Sequence, residues 1–207
     1  MIEYVIAESP DDRVLKKASD ILKSGGLVCY PTDTNWLIVC DPFNKKGLEK
    51  LYRVKNEGPL KHYSLIADTI SRAQEVAHIH DSAFKMIRKK VPGHYTFIFE
   101  ARKKITRAVQ ANKSDKEVGV RFCPDLISQN LIAVHEDVLL STHVTNELVK
   151  VSEGEEIYSY QIEEALRGQL DMIIDPGEYN FVGVSTIVNL TQEGVVEVLR
   201  EGSGDWP

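Results

Sequence analysis

The chain has 207 residues, of which 43% are hydrophobic and 27% charged, with a formal net charge of −6. This composition indicates a globular protein with one substantial core, and the acidic balance argues against a uniformly basic nucleic-acid binder. Three widely spaced cysteines, the absence of a signal-peptide pattern and the absence of an apolar run of about 20 residues lead us to expect one cytoplasmic domain, residues 1–207, with no disulfides and no membrane partner.

The first predicted element is a helix that carries start and stop signals. Ser9 is the expected N-cap, Pro10 suits the first helical position, and Asp12 completes a variant of the capping box. The glycine pair at 25–26 ends this helix, and residues 27–30 form a short buried strand. Asn44 is expected to cap a second helix that runs through Lys55.

The rest of the chain alternates between strands and helices. Strands are predicted at 63–67, 95–100, 118–122, 137–141 and 171–175, and helices near 69–77, 82–91, 125–134 and 155–167. The last two strands, 184–190 and 195–200, form a hairpin around Gly194. This order predicts an α/β fold with a mixed, twisted sheet and no internal domain boundary.

Several familiar motifs are absent from the sequence. There is no phosphate-binding glycine loop, and the single G-x-G, at 202–204, has no helix after it. The pair His78 and His80 lacks a further ligand at a useful spacing, so no metal site is predicted. No nucleophile elbow of the G-x-S-x-G type occurs. No catalytic residue is therefore assigned from these signatures.

A polar turn, "YPTDT" at residues 30–34, separates two apolar runs. In α/β sheets ligands bind outside the carboxyl ends of strands, where this turn is predicted to lie. The alternative is a structural turn in which Pro31 sets φ and Asp33 bonds its own backbone. Other hydroxyls and cations stand at predicted element ends: Lys55, Lys61, Arg121, Ser185, Thr186 and Arg200. Together they suit an anionic substrate with a carboxylate or phosphates.

The order of these segments resembles the YrdC/YciO family over nearly the whole chain. The resemblance rests on "YPTDT", "CDPFN", "LYRVK", "PGHYTFIF", "VGVRFCPD", "LLST", "DMIIDPG", "VSTIVNL" and "VLREGSGD". It implies a single α/β domain with a twisted, mainly parallel mixed sheet and a large concave face. It further implies synthesis of L-threonylcarbamoyladenylate from threonine, bicarbonate and ATP for tRNA modification, with Mg²⁺ accompanying ATP, and affinity for double-stranded RNA.

The resemblance also assigns roles to individual residues. It implies that Thr34, Arg121 and Ser185 contact the amino-acid substrate, with the Arg121 guanidinium receiving its carboxylate. It implies a nucleotide-binding set made of Lys55, Lys61, Thr145 and Arg200. Physically, a guanidinium suits a carboxylate bidentately, and lysine suits dispersed phosphate charge.

Three departures from the family pattern favour its YciO branch. Glu57 stands where an arginine is expected beside the phosphates, and "HVT" at 143–145 replaces a Ser-x-Asn element. The segment "NWLIV" at 35–39 replaces "VYGLG", without the two glycines that would let a ligand approach the backbone. Two functions stay open: a synthase-like enzyme, or a non-catalytic RNA-binding or accessory module that keeps the cavity.

A basic segment at 101–117 is the predicted RNA contact. Six of its residues are Lys or Arg, against Asp115 and Glu117. The expected RNA-binding residues are Arg102, Lys103, Lys104 and Arg107, which would contact the phosphate backbone of a tRNA or other duplex. The alternative is a solvated segment whose lysines serve solubility.

Overall fold

The computed structural model describes residues 1–206, which form one eleven-stranded sheet with nine helices. The strands are β1 (Ile2–Tyr4), β2 (Val28–Pro31), β3 (Trp36–Cys40), β4 (Ser64–Ile66), β5 (Ala77–His78), β6 (Tyr95–Ala101), β7 (Glu117–Arg121), β8 (Leu139–His143), β9 (Met172–Asp175), β10 (Thr186–Asn189) and β11 (Glu197–Arg200). The helices are α1 (Asp12–Lys23), α2 (Lys45–Val54), α3 (Ile70–Gln74), α4 (Asp81–Ile87), α5 (Lys103–Thr106), α6 (Gln110–Asp115), α7 (Leu126–His135), α8 (Asn146–Val149) and α9 (Ser159–Ala165).

The sheet is mixed, as the sequence predicts. Its strand order is β1-β9-β2-β3-β8-β4-β7-β6-β10-β11, with β5 paired to β6. Antiparallel pairs outnumber parallel ones, six to four, which corrects the expectation of a mainly parallel sheet. The reason lies partly in short connections, since the turn at 32–35 and the hairpin loop at 190–196 allow only antiparallel pairing.

The helix caps test the local sequence signals. Helix α1 is capped by Asp11, whose carboxylate accepts from Arg13 N at 2.8 Å, and not by Ser9. Ser9 instead donates its backbone N–H to Ile6 in the preceding turn, which keeps it outside the helix. The Asn44 cap of α2 is confirmed, and its amide also donates to the Lys23 carbonyl at 2.9 Å.

Other element boundaries differ more. Helices α3, α4 and α9 are shorter than predicted, and the short strand β5 lies between α3 and α4. Strands β1 and β3 and helix α8 form in segments for which no element is predicted. Strand β1 depends on pairing with β9, about 170 residues away along the chain, so no local pattern announces it. None of the helices in the described residues has the length and apolar character that crossing a bilayer requires.

Two apolar clusters lie on the two faces of the sheet. One contains Trp36, Phe97 and Phe99. The other is formed where α1 and α7 pack over β2, β3 and β9, with Leu15 and Leu131 fully buried. Burying each such leucine stabilises the fold by about 1.5–3 kcal/mol. Because these two helices cover only part of their face, the strands β4, β6, β7 and β10 leave a polar surface beside them.

Candidate functional site

That polar surface is the floor of a cavity of about 830 Å³. Thr96 of β6 is paired with Arg121 of β7 on one side and with Ile187 of β10 on the other, and Ser64 faces Ser141. Partners in register point to the same side of a sheet, so these side chains share the floor. Alternate residues of the same strands, including Phe97, enter the opposite core. The volume lies in the range of small-ligand sites, about 300–1,000 Å³.

All seven residues predicted to bind substrate or nucleotide line this one cavity. They are Thr34, Lys55, Lys61, Arg121, Thr145, Ser185 and Arg200. They come from five separate parts of the chain: the polar turn, the α2–β4 segment, the end of β7, the segment between β8 and α8, and the C-terminal hairpin. What each of them binds stays a prediction.

The polar turn orients the guanidinium of Arg121. The Asp33 carboxylate accepts from Arg121 Nη2 at 2.9 Å and lies 2.7 Å from His94 Nδ1, so it joins three elements instead of bonding its own backbone. The turn itself is closed by Thr32, whose backbone N–H donates to the Asn35 carbonyl at 2.9 Å. Thr34 is thereby left facing the cavity.

Arg121 is buried and only partly satisfied. Its side chain is 8% exposed, and its Nε has no hydrogen-bond partner among the described residues. A buried donor without a partner costs about 1–3 kcal/mol, and native proteins keep such groups mainly where water, an ion or a ligand completes them. The geometry therefore suits recognition of an anion.

Ser185 and Arg200 act as one unit at the hairpin. Arg200 donates from Nη2 to the Ser185 carbonyl at 2.7 Å and to its Oγ at 3.1 Å. The Ser185 hydroxyl also lies 2.9 Å from Thr96 Oγ1. Thr96 was missed from sequence, although the alternation of "YTFIF" places it opposite the buried phenylalanines and could have indicated it.

The opposite side of the cavity is a wall made of residues 55–63 and 143–147, here called the loop wall. Lys55 Nζ donates to the His143 carbonyl at 3.0 Å. The Glu57 carboxylate accepts from the Tyr63 hydroxyl and lies 4.0 Å from Lys61 Nζ. Although His143 keeps exposed surface, desolvation lowers its pKa, and neighbouring Lys55 lowers this pKa further. Near neutral pH His143 is thus uncharged.

The structure shows where the residues that depart from the family pattern lie. Thr145 caps α8, its Oγ1 accepting from Leu148 N at 3.2 Å. Leu37 lines the cavity, whereas Trp36 is buried on the other face and donates from its indole N–H to the Ile157 carbonyl at 2.9 Å. The bulk of Trp36 therefore does not narrow the cavity.

A buried polar cluster lies behind Arg121. Ligand atoms of Asp33, Cys123 and Asp125 lie within 4.8 Å of one another. Desolvation raises the pKa of Asp125 to about 6 and that of Cys123 to about 12. Because Asp33 is already shared by a guanidinium and an imidazole, a cation here would meet competing positive charge, and we assign no metal to it.

The predicted RNA-binding residues lie outside the cavity lining. Arg102, Lys103 and Arg107 are exposed. Lys104 differs, because its Nζ is bonded to Glu75 at 2.7 Å and to Asp137 at 2.8 Å. Its charge is therefore largely neutralised.

Comparison with known proteins identifies the family. A family model described as "Telomere recombination", for Sua5, YciO and YrdC proteins, matches residues 20–202. The chain belongs to the Sua5/YciO/YrdC family. The fold is similar to the crystal structure of Escherichia coli YciO, with a TM-score of 0.84 and 28% identity over 99% of this chain and 97% of that chain. The predicted family and its α/β fold are confirmed.

One further relative is named as a synthase of a threonine derivative, and one similar solved structure holds L-threonine. A putative threonylcarbamoyl-AMP synthase of Methanocaldococcus jannaschii is 24% identical, over 96% of this chain and 90% of that protein. The P. abyssi Sua5 structure complexed with L-threonine matches with a TM-score of 0.81 at 20% identity, over 98% of this chain and 57% of that one, which is a likeness of fold alone. The chain is thus related to threonylcarbamoyl-AMP synthases.

Proposed function

We propose that the cavity binds an adenine nucleotide together with threonine and supports formation of L-threonylcarbamoyladenylate from threonine, bicarbonate and ATP at a reduced rate. The single observation that carries this proposal is the convergence of all seven expected ligand-binding residues on one cavity. The relationship to synthases supports it. The product would serve tRNA modification.

Arg121 and Thr34 would hold the amino acid. The Asp33 carboxylate fixes the guanidinium from one side, and a guanidinium held in this way is ready to receive a carboxylate. The Thr34 and Ser185 hydroxyls offer donors and acceptors to the rest of the amino acid or its carbamate. Lys55, with Lys61, Thr145 and Arg200, would contact the nucleotide.

The chemistry needs no covalent bond to the protein. The threonine amine forms a C–N bond to the carbon of bicarbonate and water leaves, which gives a carbamate. A carbamate oxygen then attacks the α-phosphorus, the bond to the bridging oxygen breaks, and pyrophosphate leaves. The chain contributes by aligning the two reactants and by opposing charge on the phosphates. Mg²⁺ prefers oxygen ligands, and Glu147 is the lining carboxylate that would hold it. When bound, Mg²⁺ would neutralise phosphate charge.

Calorimetric titration with ATP, with and without threonine and bicarbonate, tests this proposal. We expect ATP binding that becomes tighter when both co-substrates are present, with slow release of pyrophosphate. Thr34→Val should reduce the tightening of ATP binding by threonine about tenfold, as expected for loss of about 1.4 kcal/mol of contact. Thr106→Val, in α5 and outside the cavity lining, is the matched control. No binding of ATP under any condition would refute the proposal.

A second candidate function is binding of duplex RNA, favoured by three exposed cations outside the cavity: Arg102, Lys103 and Arg107. These side chains could contact phosphates without obstructing the cavity. The non-catalytic alternative would keep this activity alone. Because these contacts would be made to phosphates, such binding would be electrostatic and indifferent to sequence.

Neutralising Lys103 and Arg107 together should weaken binding to unrelated RNA duplexes equally. The slope of log K against log salt should fall by up to about 1.5, since each phosphate contact contributes about 0.7–0.9. Lys104→Gln is the control, and we expect no change in slope because Glu75 and Asp137 already oppose its charge. Duplex binding across a salt series measures this, and an unchanged slope in the double variant would exclude this surface.

A further inference from the structure

The lining of the cavity contains carboxylates as well as cations, which is unusual for a phosphate site. Four cationic side chains and two carboxylates belong to the lining: Lys55, Lys61, Arg121 and Arg200 against Glu57 and Glu147. Their distribution decides how much negative charge a ligand can bring, and where.

Glu57 is held in place at the loop wall by its neighbours. Its carboxylate accepts a hydrogen bond from Tyr63, whose ring stacks on Tyr52 with centroids 5.0 Å apart. Desolvation and this bond raise the pKa of Tyr63, so the tyrosine remains a hydrogen-bond donor. Lys61 Nζ lies 4.0 Å from Glu57, so part of the positive charge of the wall is already opposed.

The loop wall as a whole carries no surplus of positive charge. It holds Lys55 and Lys61 against Glu57 and Glu147, and the fields of both carboxylates reach Lys55. His143 adds no charge near neutral pH, because desolvation lowers its pKa.

The surplus of positive charge lies instead at the floor and the hairpin. Arg121 is matched by Asp33, 2.9 Å away. Arg200 is bound to uncharged oxygens of Ser185, at 2.7 Å and 3.1 Å. One further anionic group is therefore accommodated beside Arg200, whereas additional phosphates would extend toward a neutral wall that contains Glu57.

We infer that this cavity selects a ligand with a single phosphate group, such as a nucleoside 5′-monophosphate or its ester or acyl anhydride, over a nucleoside triphosphate. The inference rests on the proposed nucleotide site and narrows its ligand class. An adenylate such as L-threonylcarbamoyladenylate belongs to this class, so the cavity would favour the product side of the proposed reaction. A triphosphate brings about two more negative charges than a monophosphate, and a fixed carboxylate nearby repels them.

Calorimetry with AMP, ADP and ATP at low salt, without Mg²⁺, tests the inference on the full chain. We expect the affinity to fall as the number of phosphates rises from AMP to ADP to ATP. Glu57→Gln removes the charge but keeps an acceptor for Tyr63, and should tighten ATP by about tenfold relative to AMP, equivalent to about 1.4 kcal/mol. Glu57→Arg should tighten ATP further. Glu49→Arg makes the same charge change as Glu57→Arg, outside the cavity lining, and should leave the order of affinities unchanged.

The outcomes separate this inference from the proposed function. Wild-type protein that binds ATP as tightly as AMP, or more tightly, would overturn the inference and leave the proposed function standing. If Glu57→Gln changes the affinities for ATP and AMP by the same factor, the inference is also overturned, since the carboxylate would not face the added phosphates. Absence of binding by all three nucleotides would refute the nucleotide site itself.

Discussion

Replacing Arg121 by methionine should lower the free energy of unfolding by about 3 kcal/mol, because it leaves the Asp33 carboxylate buried without its guanidinium. The two side chains are 8% and 5% exposed, so the Asp33 carboxylate would lose its charged partner in a place largely removed from solvent. Urea denaturation at neutral pH measures the change. Arg107→Met, at an exposed position, is the matched control and should stay within about 0.5 kcal/mol of wild type.

A double-mutant cycle shows whether the ion pair is the cause. Asp33→Asn removes the charge that Arg121 opposes, while the new amide can still accept from His94 or donate to it. We expect the variant that carries both substitutions to recover most of the stability lost in Arg121→Met alone. If Arg121→Met costs the same when it is made on top of Asp33→Asn, the loss is due to packing instead of charge.

Asp125→Asn should become progressively more stable than wild type as the pH rises from 4 to 7. Desolvation raises the pKa of Asp125 from 3.8 to about 6, so the folded state favours the protonated carboxyl. Its contribution to stability is therefore fully present below the unfolded pKa and is lost as the pH rises through about 6. Allowing for residual exposure, we expect a relative gain of about 2 kcal/mol at pH 7.

Asp11, the cap of α1, provides a control, because its substitution should change the stability with pH in the opposite direction. Asp125 caps α7 by accepting from Ser128 N at 2.7 Å, and asparagine can keep this bond. Asp11 caps α1, but a hydrogen bond from the Arg13 side chain lowers its pKa. Asp11→Asn should therefore lose stability relative to wild type as the pH rises. Urea titrations at four pH values measure how the free energy of unfolding of each variant changes with pH. If this free energy changes with pH in the same way for Asp125→Asn and for wild type, the pKa assignment is contradicted.

Local signals in the sequence determined a large part of the fold. Start and stop signals predicted α1 and α2, although the cap of α1 is Asp11 and not Ser9. A helix was also predicted where α7 lies, and strand composition with Gly194 predicted the hairpin of β10 and β11. These signals act over a few residues, where backbone geometry and side-chain hydrogen bonds are decided by near neighbours. The order of motifs was enough to indicate the family and to name seven residues that line one cavity.

Only the tertiary structure decided how these residues work together. The Asp33 carboxylate meets Arg121 across 88 residues of chain, and Lys104 meets Asp137 across 33, so neither pairing leaves a local pattern. These contacts orient the Arg121 guanidinium for a ligand, whereas they neutralise the charge of Lys104. In the sequence both residues are simply cations. The role of His94 and the balance of charge around Glu57 were likewise invisible, because strand register and loop packing bring together groups that the sequence keeps apart.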